Sequence, residues 1–443
     1  MNGFAVTPCK RVDGDVVVPG DKSISHRALL VAAMGEGRMA IRGISPAGDV
    51  ASSLAAVRQL GVAFNNPTPQ LDPLCQGAGS QPYQILADSP GLSGLDAGDL
   101  PIDVGNSGTT IRLLLGILAG SRTSSVLLGD ASILTRPMLR VVAPLREMGA
   151  NIEGEDGGRY APLRVRGTSL RGMAHRLPVP SAQVKSCLLL AGIGASGQTS
   201  VWEPARSRDH TERMLRYLGV PVVESLNGLV VKSTRVFNGS LEVPGDLSSA
   251  AFLLVAAAIL PGSSIRVRDV GVNPTRTGIL EVLRAFGAGV DVSNVRDVCG
   301  EPVGDVTVTH SSRRAVQVAG PLVVETIDEL PLVAVLGAMA DDGVTVVRDA
   351  AELRVKESDR IEAVVENLRR MGVDCEASSD GFSVRGGTVP RGAAVNPRGD
   401  HRIAMAMAVL GLAAAGTTLV HDWGCVAVSY PGFEHALDRV AVR

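Results

Sequence analysis

Val16-Val17-Val18-Pro19-Gly20-Asp21-Lys22-Ser23 runs into an apolar helical pattern, and Leu241-Glu242-Val243-Pro244-Gly245-Asp246-Leu247-Ser248 runs into another. A chain that begins the same strand, turn and helix twice is built from two related halves, and such repetition decides an architecture before any single motif does. The length of 443 residues agrees, being too great for one ordinary core. Around this duplication a shorter refrain recurs: Leu60-Gly61-Val62, Met148-Gly149-Ala150, Leu218-Gly219-Val220, Phe286-Gly287-Ala288 and Met371-Gly372-Val373. Each ends a helical pattern on an apolar residue and a glycine and then enters a strand-like stretch. Glycine suits the position just past a helix because it takes the left-handed conformation without a steric penalty. Arg58, Arg146, Arg216, Arg284, Arg369 and Arg370 stand in the last turns, where a cation meets the negative end of the helix dipole. The pattern over residues 433–440 supplies a sixth helix without its glycine.

Each unit reads as strand, helix, strand, helix and hairpin, with the hairpin plainest over residues 151–166, 220–232, 290–309 and 373–384. Leu163-Arg164-Val165-Arg166 alternates as a strand does when one face is buried. The expectation is an α/β protein of two similar domains, each of three βαβαββ units with helices inward and sheets outward. The chain should cross between domains at the repeated Pro-Gly-Asp stretches, which makes residues 1–20 plus 245–443 one discontinuous domain and 21–244 the second, with a site in the cleft between them. Residues 65–100, rich in Pro, Gly, Ser and Gln, read as a long surface loop with one strand near residues 83–86.

Composition narrows the function. The formal net charge is -2 and aromatic residues make up 3% of the chain, so neither a basic field nor stacking rings favour a nucleic-acid partner. Six scattered cysteines, with no close pair and no zinc spacing, read as reduced and mostly buried thiols. Residues 250–260 and 404–415 are apolar but short of the roughly 20 residues that span a bilayer, and read as buried helices. After Lys10 and Arg11, Asp13, Asp15 and Pro19 break any signal-peptide pattern, so a cytoplasmic chain, or one whose leader is removed, is expected.

The charged residues gather at helix entrances. Gly20-Asp21-Lys22-Ser23-Ile24-Ser25-His26-Arg27 brings an ammonium, a hydroxyl and a guanidinium to the first turns of a helix, which suits either an anion site or a plain cap. Gly105-Asn106-Ser107-Gly108-Thr109 repeats the glycine-rich form, and Leu134-Thr135-Arg136-Pro137 sets an arginine before a proline that opens a helix. Ser181-Ala182-Gln183 and Arg206-Ser207-Arg208-Asp209-His210 begin further helices, with His210 read as a lone structural histidine. In the second half Asp328 precedes a fully apolar helix as a cap or a base. Arg354-Val355-Lys356-Glu357-Ser358-Asp359-Arg360 and Asp400-His401-Arg402 crowd charge before two others.

With these motifs in this order, the chain resembles 5-enolpyruvylshikimate-3-phosphate synthases along almost its whole length, residues 65–100 being least matched. The resemblance implies the inside-out α/β fold of enolpyruvyl transferases. It also implies transfer of the enolpyruvyl group of phosphoenolpyruvate to the 5-hydroxyl of shikimate 3-phosphate, in aromatic amino-acid biosynthesis. By carry-over Lys22, Ser23, Arg27, Ser181, Gln183, Arg208, Asp328 and Lys356 hold shikimate 3-phosphate. Lys22, Asn106, Gly108, Arg136, Gln183, Arg360 and Arg402 hold phosphoenolpyruvate, and Lys22, Asp328 and Glu357 are the catalytic candidates. Guanidinium forks suit a site that must bring phosphates and carboxylates together. A monomer, with no metal and no organic cofactor, is expected. Two positions depart from one branch of the family: Val428 stands where a lysine would touch phosphoenolpyruvate, and Leu113 where a proline would follow Arg112. Gly108 is the small residue of glyphosate-sensitive members. The rival reading is a UDP-N-acetylglucosamine enolpyruvyl transferase, whose usual reactive cysteine has no counterpart in residues 128–140. A noncatalytic sugar-phosphate binder is a further alternative, and it would lack Lys22, Asp328 and Glu357.

Overall fold

The computed structural model describes residues 3–65, 84–98, 100–226, 228–234 and 239–443. Its architecture is the α/β arrangement read from the repeats, with six small sheets outside and long apolar helices inside. Leu247–Ile259 is buried at every residue, as a helix that is hydrophobic all round must be. Helices Leu330–Met339 and His401–Gly411 pack against it, and Lys22–Met34, Gly108–Ala119 and Ala182–Gly194 form the corresponding inner group of the other half. Two separate apolar cores result. One contains Val6, Val12, Val16 and Val18 together with residues between Leu247 and Val440, and the other extends from Ile24 to Val243.

The sheets share one hydrogen-bonding plan. Ile102–Asp103 runs parallel to Ser124–Leu128, which pairs antiparallel with Tyr160–Arg166, itself antiparallel to Asn151–Gly154. Strands Ala174–Arg176, Gln198–Trp202, Gly228–Lys232 and Val222–Ser225 repeat the plan, as do Gln317–Val318, Val344–Val347, Gly381–Arg385 and Cys375–Ser378. The two duplicated stretches exchange first strands. Arg11–Val17 lies parallel to Ser264–Gly271, whereas Ser240–Glu242 lies parallel to Glu36–Arg42. At the exchange Gly20 bridges Gly245, with the Asp21 N–H donating to Pro244 O at 2.7 Å and the Asp246 N–H to Pro19 O at 2.9 Å. A Cβ on Gly20 would stand 1.8 Å from the Gly43 carbonyl oxygen, so the chains can cross this closely only at glycine. Asp21 and Asp246 cap their helices by accepting from the Ile24 and Ser248 N–H groups. Arg276 is buried between them, 3.4 Å from Asp21 and 3.2 Å from Asp246.

The five refrain glycines all adopt positive φ: 92° at Gly61, 98° at Gly149, 79° at Gly219, 109° at Gly287 and 79° at Gly372. The arginines before them do more than face a dipole. Arg146, Arg216 and Arg369 reach over the glycine turn and donate to the carbonyls of Ile152, Val222 and Cys375 on the strand that follows. The sixth helix, Phe433–Val440, is present, and the sixth sheet is completed by the chain's own beginning, Phe4–Val6 beside Thr418–Val420.

Of the expected loop over residues 65–100 with a strand near residues 83–86, the strand is present and longer than expected. Gln84–Pro90 is a full strand paired to Glu36–Arg42 and to Ala63–Asn65, and Leu95 and Ala97 are buried behind it. Ile85, Ala87 and Ser89 alternate inward, and Ala87 and Ser89 are too weakly apolar for the strand's later half to show in the sequence. Residues 66–83 lie outside the described residues, as does Cys75. Of the other cysteines, Cys187 and Cys375 are buried while Cys9, Cys299 and Cys425 are half-buried, and all are free thiols. Among the described residues no helix is long and apolar enough to cross a membrane.

Candidate active site

The inner helices of the two cores point N-termini toward a common seam, and the charged motifs meet there. Asp328 is the centre of the second core's side. Its carboxylate accepts from Arg208 Nη2 at 2.5 Å, across the seam, and lies 3.5 Å from Arg360, 3.6 Å from Arg402 and 3.9 Å from Lys356. Asp328 does not cap the Leu330–Met339 helix, since the N-cap position falls on Glu329. Burial alone would raise the Asp328 pKa, but Arg208, Arg402, Lys356 and Arg360 together hold it well below the usual carboxylate range. Glu357 behaves likewise. Arg360 donates to it at 2.5 Å and Arg136 reaches it from the other core at 3.8 Å. Against the penalty of burial these and other nearby cations keep Glu357 ionised. Lys356 goes the other way, because burial outweighs its carboxylate neighbours and lowers its pKa.

Arg360 opens its helix and spans Glu357 and Asp400, whose carboxylate accepts from Arg360 Nε at 2.8 Å while capping the His401–Gly411 helix. His401 is buried, and desolvation plus the neighbouring Lys22 and Arg402 keep its imidazole neutral.

On the first core's side Lys22 donates to Asp49 at 2.8 Å. Arg136 donates to Asn106 at 2.9 Å and to Ser132 at 3.1 Å, and Asn106 in turn donates to Asp130 at 2.7 Å. Pro137 does not open the next helix, because Leu139–Glu147 begins two residues later with Met138 at its N-cap. A Cβ on Gly108 would fall 2.9 Å from Arg136 Nη1 and 3.4 Å from Arg112 Nη1, so the missing side chain is what lets both guanidiniums approach the helix start. Gln183 accepts from Arg112 at 2.5 Å and donates to Thr109 at 3.1 Å. Ser181 caps Ala182–Gly194, and Ser23 gives its backbone carbonyl to Arg27. Arg27 itself is 3% exposed, and two of its further donors reach Thr211 and Ser186.

The seam therefore brings together Lys22, Asn106, Gly108, Arg136 and Gln183 on one side. Arg208 reaches across to Asp328, around which Lys356, Glu357, Arg360 and Arg402 stand on the other. Sequence reasoning missed several partners. Asp49, which holds Lys22, is one acid among many in first helical turns. Arg112 lies one turn into the helix that Gly108 opens, but only the fold sets it on Gln183. Arg140, near the seam, pairs with Glu352 of the other core at 2.9 Å. His210 is not a lone histidine: its Nδ1 lies 2.8 Å from Glu301, and Asn273 joins Glu301 to Asp209. Among the described residues no three His, Cys, Asp or Glu side chains gather as a metal-ligand group.

Fold and seam together define a class: a two-core α/β protein that gathers cationic side chains between paired helix ends and keeps ionised carboxylates among them. A family model described as EPSP synthase (3-phosphoshikimate 1-carboxyvinyltransferase) matches residues 6–437. The chain is 47% identical over 441 residues to the 3-phosphoshikimate 1-carboxyvinyltransferase of Synechococcus sp. (strain JA-3-3Ab), covering 99% of this chain and 96% of the relative. It is 49% identical over 423 residues to that of Geobacillus kaustophilus, covering 95% and 96%. A solved EPSP synthase from Acinetobacter baumannii superposes with a TM-score of 0.85 at 38% identity, over 99% of this chain and 98% of the other. The chain belongs to the EPSP synthase family.

Proposed function

We infer that this chain transfers the enolpyruvyl group of phosphoenolpyruvate to the 5-hydroxyl of shikimate 3-phosphate, releasing phosphate. What supports the reading is the ring of cations around Asp328, drawn from both cores, in a chain whose relatives bear that activity's name over nearly their full length. Residues 1–20 with 245–443 act as one domain and 21–244 as the other, in a monomer working in the cytoplasm. Lys22, Ser23, Arg27, Ser181, Gln183, Arg208, Asp328 and Lys356 take shikimate 3-phosphate. Lys22, Asn106, Gly108, Arg136, Gln183, Arg360 and Arg402 take phosphoenolpyruvate.

Chemistry follows from charge. Asp328, held ionised, accepts the proton of the 5-hydroxyl as its oxygen bonds to the central carbon of phosphoenolpyruvate. The methylene carbon receives a proton from the Lys22 ammonium or, once substrate anions have drawn Arg360 and Arg136 away from it, from a protonated Glu357. The product is a tetrahedral ketal. Its carbon–oxygen bond to phosphate then breaks, the methyl group returns a proton, and the enolpyruvyl ether and inorganic phosphate leave. Arg136, Arg360 and Arg402 offset the negative charge that would otherwise keep the reactants apart.

Phosphate release from phosphoenolpyruvate tests the reading. Release that requires shikimate 3-phosphate is expected. Release with UDP-N-acetylglucosamine instead overturns the substrate assignment, and release with neither overturns catalysis.

A further inference from the structure

Behind the seam lies a buried charge cluster that none of the proposed steps uses. Lys185, on the inner helix Ala182–Gly194, is 2% exposed, and its Nζ stands 2.8 Å from Glu203, 2.9 Å from Glu212 and 3.3 Å from the Ser207 carbonyl. Glu203, just past the strand Gln198–Trp202, uses its other positions on two segments of the seam. It accepts from the Ser181 N–H at 2.9 Å and from the Ser207 hydroxyl at 2.7 and 2.9 Å. Ser181 is the cap from which Gln183 projects, and Ser207 immediately precedes Arg208. The residues next to Lys185 and Glu212 complete the circuit. Ser186 and Thr211 bond each other at 2.7 Å and take two of Arg27's donors, which sets a guanidinium beside the cluster's second carboxylate.

We propose that Lys185, Glu203 and Glu212 form a buried anchor that positions Ser181, Arg27 and Arg208 for shikimate 3-phosphate, making Glu203 and Lys185 positioning residues for that substrate alone. The inference rests on the function proposed above and assigns residues outside the carried-over site. A buried ion cluster contributes uncertain net stability, since desolvation offsets attraction, whereas its geometry is fixed by every bond that must be satisfied. Here those bonds end on the backbone and hydroxyl groups of two ligand-facing segments. On the phosphoenolpyruvate side Arg136 bonds to Asn106, Arg360 to Asp400, Arg402 to the Asp328 carbonyl and Gln183 to Arg112 and Thr109, all outside the cluster. Burial would depress the Lys185 ammonium, but Glu212 and Glu203 outweigh it and raise its pKa, so the cation persists at neutral pH.

The test compares wild type, Glu203→Gln and Ser207→Ala in the phosphate-release assay, with direct binding of shikimate 3-phosphate measured by calorimetry. Glu203→Gln keeps the shape and loses the charge that faces Lys185. Ser207→Ala leaves the ion pairs and the Lys185 bond to the Ser207 carbonyl intact and removes only the hydroxyl tie from Glu203 to the Arg208 segment. The anchor predicts that Glu203→Gln raises KM and Kd for shikimate 3-phosphate about tenfold, as loss of a charged hydrogen bond would. KM for phosphoenolpyruvate and kcat at saturating shikimate 3-phosphate should stay near wild type. Ser207→Ala should show the same selective rise in smaller measure, and it decides the matter if Glu203→Gln does not fold. Shikimate 3-phosphate constants within about twofold of wild type in Ser207→Ala and in folded Glu203→Gln overturn the anchor, whatever their melting temperatures. Wild type run alongside separates the two inferences, because wild type without shikimate-3-phosphate-dependent release overturns the functional reading itself.

Discussion

Replacing Gly108 by alanine should separate phosphoenolpyruvate recognition from stability. Gly108 opens the Gly108–Ala119 helix behind the Ser107 cap, and a Cβ there would meet Arg136 Nη1 at 2.9 Å and Arg112 Nη1 at 3.4 Å. Neither atom is backbone. Each is the far end of a flexible side chain, so relief requires the Arg136 guanidinium to retreat by about half an ångström, which rotamer adjustment supplies at little cost. Alanine in place of glycine at a compatible helical position stabilises by about 0.4–1 kcal/mol through the unfolded chain, so the melting temperature should hold or rise slightly. The functional term has the opposite sign. Misplacing a reacting or binding group by about 1 Å costs on the order of 100-fold, so half that displacement predicts roughly a tenfold higher KM for phosphoenolpyruvate. Wild type should be inhibited by glyphosate competitively with phosphoenolpyruvate, and Gly108→Ala should weaken that inhibition, because both anions would use Arg136. Steady-state kinetics with each substrate varied, glyphosate titration and a thermal melt provide the readouts. An unchanged KM for phosphoenolpyruvate would refute the displacement. A melting temperature lower by more than about 5 °C would show that backbone, and not a side chain, absorbs the clash.

Asp328→Asn removes the proposed base while keeping its shape, and kcat should fall by about 100- to 10,000-fold in the phosphate-release assay; a loss under about tenfold would exclude Asp328 from proton transfer. Burial, with Asp21 nearby, raises the Asp246 pKa from 3.8 to about 6, so this carboxyl withdraws stability as pH climbs from about 4 to 6. Asp21, held down to about 2, acts below that window. The melting temperature of wild type should therefore decline relative to Asp246→Asn across pH 4 to 6, and parallel profiles would refute the assignment. Arg140→Gln breaks an ion pair between cores whose partners are partly exposed, so thermal stability should change by no more than about 1 kcal/mol, with an effect that fades in high salt; a larger loss that persists in high salt would show that the pair is not solvent-screened.

Much of this architecture is legible in the sequence because its determinants are local. A glycine after five of these helices announces a left-handed turn whatever the rest of the chain does, and the repeated Val-Pro-Gly-Asp announces a duplicated strand and cap. Anion-binding motifs are legible for the same reason: a helix entrance is a local object, and Lys22, Asn106 or Arg360 sits within a turn of one. What failed to show was non-local. Phe4–Val6 completes a sheet with residues more than four hundred positions away, and nothing in three residues specifies that partner. The strand read near residues 83–86 runs on to Pro90, an extension that hides because its inward positions are Ala87 and Ser89. Arg276, buried between Asp21 and Asp246, comes from an irregular stretch with no periodicity, and Asp49 looks like any acid at a helix start.

The pairing seen in the seam has a consequence for how the chemistry would be timed. Asp328 and Glu357 owe their low proton affinity to Arg208, Arg402, Lys356, Arg360 and Arg136, the groups assigned to bind substrate anions. A phosphate or carboxylate that takes a share of those donors weakens the hold on the protein's own carboxylates, and their pKa values must rise toward the ordinary range. Asp328 then becomes a better proton acceptor, and Glu357 becomes able to carry a proton at all, when both substrates are in place. Arginine suits such an exchange better than lysine, since the guanidinium presents several donors in a fixed fork and can keep one bond to Asp400 while another moves from Glu357 to a ligand. On the proposed assignment the same cations would bind the substrates and set the proton affinity of the residues that act on them, so that reactivity would appear only with the seam filled.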